Sequence, residues 1–424
     1  MKDKRQVWKV VATLFFAMYT IAGVVLVSLV GSLNMIPAKF LTAASCILIL
    51  IGLIAFYLLF IDLFKKNSEE KGKYLTRTVG SIISIGFSVV LVGASVMVWD
   101  LKETLNSMIV DNDVPSTEET QGVGVGTEIL GIETDSEAED GKFNITKDPF
   151  IVYVGGSDTR TSKLTEKYNS DVNILVTVNP TTKQILMINT PRDYYIKTTK
   201  TKGKVLDKLT HCGSYGLQCS LDTLGNLYEQ EIEYYTMVNF KGFSKLIDAI
   251  GGVDVYCEKS FQAHTDDIYF KQGNLHLNGR KALAFVRERY AFEDGDYARG
   301  RHQMEVLEEV INTLASGTII TKYGEILESV EGMFTLGFTN EEISKLVKMQ
   351  LSDMPSWDIK MYTVTGKGAR KETYSMPGQP VYVTIPNYDT VDHAKELMEK
   401  VFDGELVTDE DLVFGTPDGE DEEE

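Results

Sequence analysis

Basic charge is in short supply in this chain. Lys and Arg number 42 against 61 Asp and Glu among 424 residues, a formal net charge of −19. A nucleic-acid-binding domain carries the opposite balance, so that class loses its main signature. The deficit is also local. Residues 111–147 hold ten acidic and two basic side chains, residues 403–424 hold eleven and none, and together they account for the whole net charge. The acidity therefore belongs to a linker and a tail. Cysteine is sparse too, at four residues. Cys46 lies in an apolar run and Cys257 follows a strand, so both read as small packing residues. Gly122–Gly126 (GVGVG) lacks the Lys-Ser/Thr and the strand–helix frame of a phosphate loop, which leaves a flexible linker.

Apolar residues, at 43%, are ample and exclude wholesale disorder. Three charge-free runs, Val10–Leu33, Phe40–Ile61 and Val79–Trp99, each exceed the roughly 20 residues that a helix needs to cross a bilayer. A signal-peptide core is shorter, and three runs in succession favour spans. Lys2, Lys4, Arg5 and Lys9 precede the first span, and Lys65, Lys66, Lys71, Lys73 and Arg77 follow the second. The positive-inside rule makes residues 1–9 and 62–78 cytoplasmic and puts everything after Trp99 outside, where ATP is not normally available. There a disulfide is permitted, and a Cys212–Cys219 bridge is expected. Zinc is short of ligands, since only His211 adjoins that pair. A catalytic thiol needs a poised His partner that spacing alone does not supply.

Residues 100–147 read as an acidic stalk, 148–402 as the folded domain, and 403–424 as a disordered tail. Phe150–Val154, Asp171–Val178 and Gln184–Ile188 read as strands, the last two joined by a hairpin at Asn179–Lys183. Phe240–Ile250 has helical spacing and ends at Gly251-Gly252, before a strand at Val253–Tyr256. Asn278–Phe285 reads as a short helix leading to an extended Val286–Arg289. Gln303–Leu314 is a stronger helix, another occupies 338–351, and Asp358–Val364 and Pro380–Ile385 are late strands. Alternating strands and helices predict an α/β sandwich.

Several charged residues gather at element ends, where ligands bind in open α/β sheets. Asp158 follows a strand and Asp171 opens one. Arg192 follows the third, Arg287 and Arg289 alternate, and Asp296, Arg299, Arg301 and Gln303 precede or open the strong helix. Guanidinium groups donate planar forks to phosphate oxygens. A carboxylate pair beside them implies a bridging cation, and Mg²⁺ fits. Surface salt bridges are the plainer alternative for any one residue.

Taken together, YVGGSDTR (153–160), SDVNILVTVNPTTKQILMINTPRDYYI (170–196), DKLTHCG (207–213), FKGFSKLIDAIGGVDV (240–255) and GNLHLNGRKALAFVRERYAFEDGDYARGRHQ (273–303) resemble the LytR-CpsA-Psr family. The three preceding spans are similar to its capsule-associated, CpsA-like members. The resemblance covers about 148–318. It implies an α/β/α sandwich with an apolar tunnel, outside a Gram-positive-type cell membrane. The activity implied is a phosphotransferase that moves a polyprenyl-pyrophosphate-linked glycopolymer, a capsular polysaccharide or similar wall polymer, onto peptidoglycan near the polymer-synthesis machinery. By motif position, Asp158 and Asp171 would ligate Mg²⁺, and Arg287, Arg289, Arg299 and Gln303 would hold the pyrophosphate, with Lys208 as a further ligand. Arg192 would act at the reacting phosphate and Asp296 would orient the arginines. Asn169 and His302 depart from residues common in the family. A lipid-pyrophosphate hydrolase uses the same residues. A membrane-bound regulator or sensor is the non-enzymatic alternative, although its cytoplasmic segments are too short for DNA-binding domains.

Overall fold

The computed structural model describes residues 2–33, 35–60, 70–108, 143–158, 168–316 and 323–414. Three helices lead: α1 (Lys2–Leu33), α2 (Ala38–Leu59) and α3 (Glu70–Met108). Within them Val7–Leu33, Ala38–Leu59 and Leu75–Thr104 are long and apolar enough to cross a membrane. Val24, Leu53 and Val89 stand 60–69% exposed on their outer faces, as lipid-facing side chains do. Helix α3 continues past Trp99 through Met108, so the expected stalk begins as helix. Residues 109–142 of that stalk, with the glycine-valine stretch, lie outside the described residues.

The folded domain is built on six strands: β1 (Phe150–Ser157), β2 (Ser170–Asn179), β3 (Gln184–Asn189), β4 (Tyr234–Asn239), β5 (Phe334–Leu336) and β6 (Asp358–Thr363). They form one sheet in the order β5-β4-β1-β2-β3-β6. Neighbours β1 and β4, and β3 and β6, run parallel, and the other pairs are antiparallel. At the β2–β3 hairpin the Asn179 side-chain oxygen accepts the Thr181 and Thr182 amides at 3.0 and 3.1 Å.

Strand periodicity sorts the core into two layers. Leu175, Leu186 and Ile188 face α4 (Leu217–Tyr228) and a C-terminal helix, Tyr388–Phe402. Ile174, Val176, Ile185 and Met187 face the opposite way. Helices α5 (Phe240–Ile250), α6 (Gly279–Phe285), α7 (Asp296–Ala315) and α8 (Tyr323–Val330) complete that side, with α7 lying on the sheet through Met304, Leu307 and Ile311. This is the α/β/α arrangement that the sequence implied. Helix α7 starts seven residues before Gln303, where its expected boundary lay, because Asp296 supplies an acidic first turn. The hairpin Gly366–Thr373/Met376–Pro386 was only half visible in the sequence, since its first strand is mostly polar and exposed.

Two expectations are corrected. The C-terminal tail is not disordered from residue 403. Val407 is 1% exposed in the main core, and its amide and carbonyl pair with the Gln184 side chain at 2.9 and 3.2 Å. Lys400 holds Asp411 at 2.5 Å. Two apolar anchors, Val407 and Leu412, override the acidic composition through residue 414, and residues 415–424 lie outside the described residues. Cys212 and Cys219 are free, buried thiols, not a bridge. They contact each other, and Thr223 and Thr199 lie 3.5 Å from Cys212 and Cys219 respectively.

Helix α7 is fastened to a second core by His302. Its ring stacks on Phe285 at 4.1 Å and meets Phe292 edge-on at 5.0 Å. Burial pulls this imidazole down to about 4, against the pull of Glu258. An unfolded histidine titrates near 6.5, so the unfolded chain takes up a proton over a range where the folded one refuses it. Stability is therefore full above pH 6.5 and falls as pH drops to 4, by up to about 3 kcal/mol. Denaturation of the purified chain at several pH values should show this slope in the wild type and lose it in His302→Phe. Val407→Ala should lower unfolding free energy by about 1–3 kcal/mol, read as a shift in denaturant midpoint.

Candidate functional site

Strands β1 and β2 stay in register to Gly156↔Val172, and the next pair is Ser157↔Ser170. Asp171 is thus the extra residue of a β-bulge, a device that re-aims a side chain. Gly155 and Gly156 permit the close approach, since a Cβ on either would collide with Met237 or Val172. The Asp171 carboxylate accepts Arg192 Nη1 at 2.5 Å. Arg192 sits in the turn after β3, pinned where the Thr210 amide donates to its carbonyl at 2.9 Å.

The first turn of α7 closes over this pair. A Cβ on Gly300 would run into the Asn189 amide, so glycine lets the helix settle on the end of β3. Asp296 Oδ2 accepts Arg299 Nη2 at 3.1 Å, while its Oδ1 lies 2.9 Å from that nitrogen and 3.8 Å from Arg192 Nε, between the two guanidiniums. Arg299 Nη2 also donates to the Asp171 carbonyl at 3.4 Å. One turn on, Gln303 donates to the Val286 carbonyl at 3.3 Å.

Arg287 and Arg289 lie not on an extended strand but in the irregular turn after α6. They share a side because Glu288 between them turns inward and is 1% exposed. Its carboxylate accepts the amides of His264, Arg289, Tyr290 and Ala291 at 2.6–3.1 Å. Burial raises its pKa, but these four amides outweigh it and hold the group below the ordinary carboxylate value. Arg287 stacks 4.6 Å above the Phe240 ring, and Arg289 donates to the Tyr290 hydroxyl at 2.6 Å.

All four arginines line one cavity of about 560 Å³, in which Asp171 is the sole wall carboxylate among the described residues. Gln303 and Asn239 join them. Beyond lie Val154, Ile174 and Val238 from the sheet and Phe243 and Leu246 from α5. Leu307, Val310, Ile311 and Leu314 of α7 and Ile326 and Val330 of α8 continue the apolar wall. From Arg299 to Leu314 the helix rises roughly 22 Å. The cavity therefore grades from charged to greasy along α7. At the charged end, Arg192 and Arg299 each bury an Nε–H with no hydrogen-bond acceptor among the described residues. Burial draws Arg299 below its ordinary value, with Asp296 opposing and Arg192 adding to the fall. Burial also pulls on Arg192, yet Asp171 and Asp296 raise it overall. Buried donors without acceptors are costly, and an anion with several oxygens would satisfy them.

Of the residues singled out from sequence, Asp171, Arg192, Arg287, Arg289, Arg299 and Gln303 meet at this cavity, with Asp296 bracing two of them. Lys208 does not line it. Its ammonium is committed to Asp193 at 2.8 Å. Asp158 stands just past β1, accepting the Asn169 amide and side chain at 3.3 Å. Among the described residues no three His, Cys, Asp or Glu side chains gather to hold a metal. Asp158 is not among the lining residues, although it and Asp171 flank the Ser157↔Ser170 pair at one end of β1 and β2 and carboxylate is the ligand type that Mg²⁺ takes. Sequence reasoning missed Glu288, Phe240 and Asn239. Only the alternation Arg287-Glu288-Arg289 carried a signal, and which way each side chain points is decided by the turn.

The LytR_cpsA_psr family model matches residues 125–392. The polyisoprenyl-teichoic acid–peptidoglycan teichoic acid transferase TagU of Bacillus licheniformis is 34% identical over 197 residues, 46% of this chain and 62% of that protein. TagU of Bacillus subtilis is 34% identical over 227 residues, 53% of this chain and 66% of that protein. The chain thus spans just under two thirds of each relative's length. The crystal structure of Bacillus subtilis TagV is 26% identical, with a TM-score of 0.52 over 61% of this chain and 98% of that one. With more than half of its length matched by the family model, and the same mixed α/β domain beneath it, this chain belongs to the LytR_cpsA_psr family.

Proposed function

We propose that the chain is a phosphotransferase that moves a glycopolymer from a polyisoprenyl-pyrophosphate carrier to peptidoglycan. One observation carries this reading: buried arginine donors without acceptors sit at the head of an apolar cavity. A donor with a diphosphate head and an isoprenoid tail matches both halves. The relatives' names supply the chemistry of donor and acceptor. The three apolar helices fit membrane anchoring, and the positive-inside charge pattern supports an external domain.

In this mechanism the apolar wall takes the isoprenoid chain, while Arg287 and Arg289, fixed by Glu288, bind the diphosphate. Arg192 exchanges the Asp171 carboxylate for an oxygen of the sugar-side phosphate, and Asp296 keeps it parallel to Arg299. A peptidoglycan hydroxyl oxygen attacks that phosphorus. The new P–O bond forms as the P–O–P bridge breaks, polyisoprenyl phosphate leaves, and the hydroxyl proton passes to water. A bound Mg²⁺, held by Asp158 and Asp171, would supply further neutralisation of the phosphate oxygens. Stabilisation of the developing charge is the main catalytic contribution.

The test is reconstitution of the full chain with a polyisoprenyl-pyrophosphate saccharide and peptidoglycan fragments. Arg192→Ala and Asp171→Asn should each lower phosphodiester formation by about 100-fold or more. Unchanged transfer in both overturns the assignment, and free polymer as the sole product favours hydrolysis. Chelation with EDTA should stop the wild-type reaction and added Mg²⁺ should restore it. Full activity in EDTA removes the metal from the proposal.

A further inference from the structure

Two features have no part in the proposed chemistry: the acidic tail, and a basic face in a chain that has little basic charge. Lys197, Lys200, Lys202 and Lys204 stand in the loop after Ile196, with no acid between residues 194 and 206. Thr198 and Thr201 turn inward and are buried, and the Thr201 hydroxyl donates to the Thr198 carbonyl at 2.7 Å. The four lysines are left on the outside, all exposed. Lys367, Arg370 and Lys371 are exposed on the first strand of the Gly366–Thr373/Met376–Pro386 hairpin, where Glu372 is the one acid.

The two segments make one face. The Tyr195 hydroxyl donates to the Glu372 carbonyl at 2.9 Å, and the Tyr374 amide donates to the Leu206 carbonyl at 2.9 Å. The Tyr215 and Ser375 hydroxyls meet at 3.0 Å. At the base of the hairpin the Gly366 amide donates to the hydroxyl of Tyr297, the residue after Asp296, at 2.8 Å. The face therefore begins at the edge of the arginine cluster. Among the described residues none of its seven cations forms an ion pair or a side-chain hydrogen bond. Lysines elsewhere do: Lys208, Lys360, Lys395 and Lys400 each hold a carboxylate at 2.5–2.8 Å.

Two of those carboxylates, Asp409 and Asp411, belong to the tail. Phe414 then meets the His393 ring at 5.4 Å, so the chain still lies against the helix that follows the hairpin. Residues 415–424 add six acids and no base. Their reach is sufficient. The helix rises about 8 Å from Tyr388 to His393, and Lys367 and Lys371 lie about 3 and 17 Å along the hairpin from Pro386. Ten extended residues span about 33 Å.

We infer that the acidic segment 415–424 docks on this basic face and shields it from other polyanions. Six carboxylates meet seven cations, and the tether holds the segment at a millimolar effective concentration. A phosphate-rich polymer from outside must displace it before lying on the face. The inference does not rest on the transferase reading, because none of these seven cations lines the arginine cavity.

The experiment uses the full chain in lipid nanodiscs and a carbodiimide, which joins a carboxylate to a touching lysine amine with loss of water. Peptide mass spectrometry should find Glu420–Glu424 joined to the lysines of this face. The yield should fall about fivefold or more in about 1 M salt, where the screening length shrinks to about 3 Å. A second measurement takes inorganic polyphosphate as the probe. The chain lacking residues 415–424 keeps its Val407 and Leu412 anchors, and it should bind polyphosphate about tenfold more tightly than the full chain. Lys367→Gln, Arg370→Gln and Lys371→Gln together should remove that gain. No cross-links, or cross-links confined to other lysines, overturn the inference. Equal polyphosphate affinity with and without the segment also overturns it, and tight binding in both assigns the face to an external polyanion.

Discussion

Everything at the cavity depends on keeping four guanidinium groups close together beside an apolar wall. Like charges at short range repel, and burial adds a desolvation cost. The protein meets this with few carboxylates, each placed for a task. Asp296 lies between Arg192 and Arg299 and relieves their repulsion. Asp171 occupies Arg192 directly. Glu288 faces away from the cavity, and its charge is absorbed by backbone amides and not by the neighbouring arginines. The cluster is therefore left short of negative charge, and that shortage is what a polyanionic ligand corrects.

Backbone detail decides where these charges point. Without the bulge at Asp171, strand alternation would place that carboxylate differently relative to Val172 and Ser170. Without glycine at 300, α7 could not lie against Asn189, and Arg299 could not reach the Asp171 carbonyl. The sheet supplies rigidity and the irregularities at its edge supply aim.

Much of this was legible in the sequence for a physical reason. Apolar-rich runs such as Asp171–Val178 and Gln184–Ile188 have one stable home, a buried strand, and the spacing in Phe240–Ile250 admits one helical face. Arg192, Arg299 and Asp171 stood out because charge at an element end is unusual. What failed depended on three-dimensional context. The segment after residue 403 looked disordered because acidic residues outnumber its anchors, yet Val407 and Leu412 suffice once they pack on the main core. Lys208 looked available because its partner Asp193 is fifteen residues away in the chain. Cys212 and Cys219 are near in sequence and in contact in space, yet both remain thiols in a buried pocket with the Thr199 and Thr223 hydroxyls.

Helix α3 runs without interruption from its apolar stretch to Met108 and packs on α8, whose Ile326 and Val330 belong to the cavity wall. Such a strut ties the cavity wall to the apolar helices, much as a rigid stem holds a lamp at one height.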